Sequence, residues 1–264
     1  LGNDFVIIDN RKKITNLTKD QIVKICDRNF IGCDQLIFIE PDSSADANLR
    51  FFNSDGGESG ACGNGTRCVA NLISNEKNNK SIILNTLSGK LKSEILEKKI
   101  VTTEIGKAKL KWDEIPLSKE MDTKNLNIKI IDTNNNEHLG GTAINVGNPH
   151  IVFFVKRIED FNIEKIGPEI ENHEIFPEKC NVTIAQIFNK NLIKVKVWER
   201  GAGLTKACGT AACATAYAGK LNNLTENKTD IEFATGKLSI SIDENNSIHM
   251  KGPVSDIEEI EIKL

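Results

Sequence analysis

Three short motifs occur twice in this sequence, in the same order and at a nearly constant offset. Gly2-Asn3-Asp4-Phe5-Val6-Ile7 returns as Gly147-Asn148-Pro149-His150-Ile151-Val152. Cys62-Gly63-Asn64-Gly65-Thr66-Arg67-Cys68-Val69-Ala70 returns as Cys208-Gly209-Thr210-Ala211-Ala212-Cys213-Ala214, and Ser88-Gly89-Lys90-Leu91 returns as Thr235-Gly236-Lys237-Leu238. One Gly-Lys-Leu repeat is ordinary strand-turn chemistry. Three ordered pairs require an internal duplication and therefore two similar domains, and 264 residues are enough for two domains of ordinary size. The same offset sets Gln35 against Asn181. It also sets Asn53, at the end of the strand-like Leu49 to Phe52, against Glu199-Arg200 at the end of Val195 to Trp198.

Local signals within each half alternate between strand and helix. Gln35 to Glu40, Ser81 to Leu84 and Ile100 to Ile105 are β-branched runs bounded by glycine and asparagine, which reads as strand. Thr18 followed three residues on by Gln21 is a capping-box pattern and opens a helix to Asp27. Asn64 to Ile73 and its counterpart Thr210 to Leu221 read as further helices. The expected fold is α+β: two pseudo-symmetric domains, each a curved sheet or open barrel around a central helix. Residues 1–110 form the first half and 111–251 the second, with 252–264 returning to the first half and ending strand-like. The crossing falls in Lys107 to Asn127, which contains Pro116 and little apolar periodicity.

Composition removes several function classes. Lys and Arg total 34 against 37 for Asp and Glu, a net charge of -3 without a basic face, so no nucleic-acid partner is expected. No apolar run is long enough to span a bilayer, and no charged-apolar-small leader opens the sequence, so the cytoplasm is expected rather than secretion or a membrane. The seven cysteines, an odd number, argue for reduced thiols over a disulfide framework. The sequence opens at Leu1 rather than Met, from which a short missing N-terminal piece is expected.

The chemistry concentrates in the second repeated motif. Cys62 and Cys208 each stand just before glycine and a helix start. Free backbone N–H groups and the positive end of the helix dipole favour a thiolate there, so both thiol pKa values are expected to fall. The same N–H groups can hold a carboxylate and stabilise charge growing beside it as an α-proton leaves. If the two halves face each other about a pseudo-twofold axis, one cysteine removes a proton from one face of a carbon and the other returns a proton to the opposite face. The stereocentre then inverts.

Three other cysteine chemistries fit less well. Structural zinc favours two to four residues between paired ligands, whereas Cys62 with Cys68 has five and Cys208 with Cys213 has four in a helical setting that turns the pair members apart. No metal is expected, and Cys68 and Cys213 read as core residues. A Cys62–Cys208 disulfide reads as an inactivating side reaction, because no C-x-x-C motif is present. A cysteine hydrolase needs one nucleophile and an orienting histidine, but the duplication supplies two equivalent cysteines and only His150 lies in a repeated motif. Asn3, Asn53, Asn148 and Asn181 are each ordinary turn residues taken singly. Recurring at matched points with Gln35 and Glu199-Arg200, they suggest a polar pocket for a zwitterion, with Arg200 suited to a carboxylate.

At these residues the sequence resembles the diaminopimelate epimerases over nearly its whole length. The matching stretches are Leu1 to Phe5, Phe52 to Gly56, Cys62 to Cys68, Gly147 to His150, Trp198 to Gly201 and Ala207 to Thr210. The resemblance implies interconversion of LL- and meso-diaminopimelate for lysine and cell-wall synthesis, without pyridoxal phosphate, other cofactor or metal. It implies Cys62 and Cys208 as the catalytic pair and His150 and Glu199 as tuners of their thiols. Substrate binding is implied for Asn3, Gln35, Asn53, Gly63, Asn64, Asn148, Asn181, Glu199, Arg200, Gly209 and Thr210. A homodimer and an opening strand ahead of Leu1 are also implied. The departures are small: Thr66 and Ala211 stand where the family often has other small residues. A proline or hydroxyproline racemase of the same fold is the runner-up, and a non-catalytic small-molecule binding protein of this fold is the alternative from another class.

Overall fold

A computed structural model describes residues 2–60, 62–97 and 99–262. The chain divides into two compact units, one formed by Asn3–Glu104 with Lys251–Leu264, the other by Leu1–Gly2 with Ile105–Met250.

In the first unit β1 (Phe5–Asp9) runs parallel to β2 (Gln35–Glu40), with α1 (Lys19–Cys26) in the crossover. The expected capping box is formed: Gln21 N donates to Thr18 Oγ1 at 3.3 Å, and Thr18 N donates to Gln21 Oε1 at 2.9 Å. β3 (Ala47–Asn53) lies antiparallel to β2, pairing Gln35 with Asn53, and β4 (Glu58–Ser59) pairs with β3. α2 (Gly63–Lys77) then crosses to β5 (Ser81–Thr86), parallel to β3, and β5 turns through a hairpin into β6 (Gly89–Glu97), followed by β7 (Ile100–Lys107).

Both faces of this sheet are covered. Ile22, Ile25 and Cys26 of α1 pack with Leu36, Phe38 and Phe52 on one face, while Val69, Ala70 and Ile73 of α2 pack with Ile37, Ile39, Leu49 and Phe51 on the other. Leu36 to Ile39 is accordingly a continuous apolar run, since alternate side chains enter two different cores.

The second unit repeats the plan. After a hairpin of β8 (Ile128–Ile131) and β9 (Glu137–Gly140), β10 (Thr142–Asn145) pairs antiparallel with β11 (Pro149–Val155). β11 runs parallel to β12 (Asn181–Asn189) with α3 (Ile163–Glu171) between them, and β12 is antiparallel to β13 (Leu192–Glu199). β14 (Gly203–Thr205) pairs with β13. α4 (Gly209–Leu221) crosses to β15 (Lys228–Phe233), parallel to β13, and a hairpin leads to β16 (Gly236–Ile242), followed by β17 (Ser247–Pro253). The order of strands, crossovers and hairpin matches that of the first unit from β1 to β6. α4 touches β10, β11, β12, β15 and β16, so the sheet curves around it. Its buried alanines, Ala211, Ala212, Ala214, Ala216 and Ala218, suit a helix surrounded on most sides.

At three places the fold departs from or adds to what the sequence pattern suggests. α2 runs on to Lys77 rather than stopping at Ile73, because polar residues on its solvent side continue the helix until Asn78 caps it in the left-handed conformation, φ 49°. α3 carries no expectation from its pattern, since Pro168 interrupts it; Asn162 caps it by accepting from Glu164 N at 3.0 Å. The third concerns the C-terminal stretch. Among the described residues beyond Pro253 none is in a strand, and Ile257 and Ile260 are exposed. The alternating pattern there forms no ladder among the described residues. The segment is instead tied by the Val254 N to Lys99 O bond at 2.8 Å and the Lys99–Asp256 ion pair at 2.6 Å, and Ile262 packs against the α1 cluster.

Candidate active site

Cys62 is the N-cap of α2, with extended backbone (φ -142°, ψ 104°), and its Sγ accepts from Gly65 N at 3.4 Å. Its carbonyl takes both the Thr66 amide and the Thr66 hydroxyl, each at 2.8 Å. Gly65 is required sterically: a Cβ there would lie 2.7 Å from Ile37 Cδ1 and 3.5 Å from Cys62 Sγ. Cys208 holds the same place on α4 (φ -132°, ψ 119°), with Sγ 3.4 Å from Thr210 Oγ1 and its carbonyl accepting from Ala212 N at 3.1 Å. Gly63-Asn64 and Gly209-Thr210 form the first turns, where backbone N–H groups lack intrahelical partners and the dipole is positive.

The expectation of a lowered thiol pKa is overturned at Cys208. Burial pushes its pKa well above the ordinary thiol value, and the Glu199 carboxylate, near enough to accept a hydrogen bond from the thiol, pushes it further. The Thr210 hydroxyl and the Ala211 amide act in the opposite direction and lose. The helix terminus stabilises a thiolate only against the cost of removing it from water, and here that cost is larger. Cys213 is buried in the core as expected, whereas Cys68 is half-buried and packs against the core of the first unit, and burial raises the Cys68 pKa. No three His, Cys, Asp or Glu side chains among the described residues come together as a metal site would require.

The binding residues expected in the first unit form two groups. Gln35 Nε2 donates to Asn53 Oδ1 at 2.8 Å across the β2–β3 ladder. Asn64 Nδ2 donates to Asn3 Oδ1 at 2.6 Å, which brings the β1 approach to the first turn of α2 beside Cys62.

In the second unit Asn181, opposite His150 in the ladder, donates from Nδ2 to Pro149 O at 2.9 Å and accepts from Arg200 N at 3.0 Å. Arg200 Nη1 donates to Glu178 O at 2.9 Å. His150 is fully buried, its Nε2 is 2.8 Å from Asn148 Oδ1, and burial drops its pKa to about 3. The ring is therefore neutral with Nε2–H donating to Asn148.

Glu171 escapes the sequence reading. It is buried, accepts from Trp198 Nε1 at 2.7 Å and from Gly201 N at 3.0 Å, and so brackets Glu199 and Arg200 on both sides. Its signal lies in the spacing: it falls on the same helical stripe as Ile163, Ile166, Gly167 and Ile170, and an acid on an apolar stripe requires a buried partner.

A family model described as diaminopimelate epimerase matches residues 1–111 and 142–257. The chain belongs to the diaminopimelate epimerase family. Every site residue named above lies within the matched stretches, whereas the β8–β9 hairpin lies between them. A curated diaminopimelate epimerase of Pelagibacter ubique (strain HTCC1062) is 69% identical over 264 residues, covering 100% of this chain and 96% of that protein. One from Sphingopyxis alaskensis (strain DSM 13593 / LMG 18877 / RB2256) is 42% identical, covering 97% and 92%.

Among solved structures, a phenazine biosynthesis protein of Bacillus anthracis superposes with a TM-score of 0.67 at 14% identity, covering 100% of this chain and 94% of that one. A hydroxyproline epimerase of Agrobacterium vitis gives 0.66 at 13%, covering 96% and 85%. At such identities these two likenesses show the shared fold alone. The diaminopimelate epimerase family is thus fixed by sequence, and the two-unit architecture is common to a wider group.

Proposed function

We propose that this protein interconverts LL- and meso-diaminopimelate at one α-carbon, using Cys62 and Cys208 as acid and base without pyridoxal phosphate or metal. The observation that carries the reading is the matched pair of N-cap cysteines, on the corresponding helices of a duplicated fold, in a member of the diaminopimelate epimerase family.

One thiolate takes the α-proton and becomes a thiol, leaving the electron pair on the carbon and its carboxylate. The other thiol then delivers its own proton to the opposite face and becomes a thiolate. The two cysteines exchange protonation states in each turnover. Backbone N–H groups at Gly63-Asn64 and Gly209-Thr210 hold the carboxylate and the charge that grows on it. Burial and the Glu199 carboxylate both favour the protonated form of Cys208.

Asn3, Gln35, Asn53, Asn64, Asn148, Asn181 and Arg200 supply the remaining polar contacts for a substrate with a second amino-acid head group. His150 acts by orienting Asn148, and Glu199 acts directly on the Cys208 thiol. Both thiols must be reduced, which suits the cytoplasm. A homodimer is part of the same proposal, to be tested by sedimentation velocity.

The functional test is incubation of the reduced protein with LL-diaminopimelate in the presence of a chelator, followed by chiral separation. Appearance of the meso isomer is expected. A folded, reduced protein that forms none, while racemising proline or hydroxyproline, would replace this reading.

A further inference from the structure

A single hydrogen-bond chain in the first unit joins two of the proposed substrate-binding amides to two charged residues with no assigned role. Arg67 Nη2 donates to Asn64 Oδ1 at 2.8 Å, Asn64 Nδ2 donates to Asn3 Oδ1 at 2.6 Å, and Asn3 Nδ2 donates to Asp34 Oδ2 at 2.9 Å. From this chain we propose that Arg67 and Asp34 are positioning residues that fix the orientation of both amides, so that Asn64 and Asn3 each present an N–H donor to a substrate carboxylate. The proposal rests on the reading of Asn3 and Asn64 as substrate-binding residues.

The polarity of the chain follows from its ends. A guanidinium can only donate and a carboxylate can only accept, whereas a side-chain amide does both and reverses by rotating about one bond. If Asn64 rotated, its N–H would face the Arg67 N–H and its oxygen would face the Asn3 oxygen. If Asn3 rotated, its oxygen would face the Asp34 carboxylate. Either rotation loses two hydrogen bonds, and because Arg67 is 1% exposed and Asn64 8% exposed, water cannot replace those at the buried end.

With both amides held, each amide nitrogen keeps one N–H beyond those used in the chain. That leaves a pair of donors beside Cys62, suited to an anionic acceptor such as the α-carboxylate of an amino acid. The exposed end is also braced: Arg28 donates to Asp34 Oδ1 and, at 2.9 Å, to Asp4 Oδ1, while Asp4 N donates to Asp34 Oδ2 at 3.3 Å.

The test uses Asp34, which is partly exposed and outside the core, so that its replacement spares the fold; circular dichroism and a melting curve confirm this. In Asp34→Ala the KM for diaminopimelate is expected to rise about ten-fold while kcat changes by less than about two-fold, the loss expected from one charge-assisted hydrogen bond. Asp34→Glu is expected to restore most of the affinity. The side-chain NH2 signals of Asn3 in a 1H–15N spectrum are expected to move in Asp34→Ala and to stay close to wild type in Asp34→Glu.

An enzyme that turns over diaminopimelate with a KM indifferent to Asp34→Ala overturns this proposal and leaves the functional reading standing. A wild-type protein that does not turn over diaminopimelate removes the functional reading instead. The NH2 spectra then still decide the orientation, and unmoved Asn3 signals in Asp34→Ala overturn it.

Discussion

The Glu199 carboxylate lies close enough to the buried Cys208 thiol for its charge to oppose ionisation, and so works against the helix terminus on which Cys208 sits. A cysteine at a helix N-terminus ordinarily leans toward thiolate. Here burial and the adjacent negative charge reverse the balance, so the two halves of the duplication need not offer equivalent thiols.

Glu199→Gln removes that charge while keeping the shape. The Cys208 pKa is expected to fall, because a negative neighbour no longer opposes thiolate formation. Thiolate absorbance near 240 nm, titrated with pH and corrected with Cys208→Ser, measures the shift. The kcat is expected to drop by about 100-fold if Glu199 sets the acid form used in turnover. An unchanged titration would show that burial alone controls the thiol.

Cys62→Ser and Cys208→Ser are each expected to lower kcat by about 100- to 10,000-fold, the range for loss of a general acid or base. Serine replaces the thiol with a group of similar shape, so thermal stability should move little. Full activity in either variant would contradict the pairing of the two cysteines.

His150 makes stability depend on acid. Its native pKa is about 3 against an ordinary value of 6.5, so below pH 6.5 the unfolded chain takes up a proton that the native state refuses. The stability linked to this residue is complete above pH 6.5. It is lost at up to about 1.4 kcal/mol per pH unit as the pH falls toward the native value. Unfolding free energies measured by denaturant titration should fall less steeply with acid in His150→Gln than in wild type. Parallel slopes would contradict the burial of a neutral ring.

Gly167→Ala is expected to destabilise the second unit by about 1–3 kcal/mol through overpacking. A Cβ at this position would lie 2.3 Å from Trp198 Cγ, and Trp198 is held by Glu171 next to Glu199 and Arg200. Melting temperature and kcat/KM should therefore fall together. A stable variant with normal activity would show that the Trp198 seat is loose.

The duplicated motifs made the cysteines and the repeated two-unit plan legible, because Cys-Gly before a helix and Gly-Lys-Leu in a hairpin each need particular residues at particular places. The α1 cap was equally readable, since Thr18 and Gln21 interact within one turn. What depends on distant partners was not. The resemblance named Glu199 as a tuner but not that burial would outweigh the helix terminus at Cys208, Glu171 has no motif because its partners lie 27 and 30 residues on, and Asp34 meets Asn3 across 31 residues. The C-terminal alternation misled for a related reason: a strand forms only through hydrogen bonds to a partner strand, and alternation within one segment does not reveal that partner.

The central claim, inversion by two thiols, is tested most directly by running LL-diaminopimelate in deuterium oxide and following early turnover by mass spectrometry and chiral separation. A thiol carries one exchangeable proton, so the group that removes the substrate proton is not the group that supplies the new one. The first meso product is therefore expected to carry deuterium at the inverted carbon while recovered LL substrate remains unlabelled. Early meso product that retains the original hydrogen would mean that one group both removes and returns the proton, and would contradict the paired roles of Cys62 and Cys208.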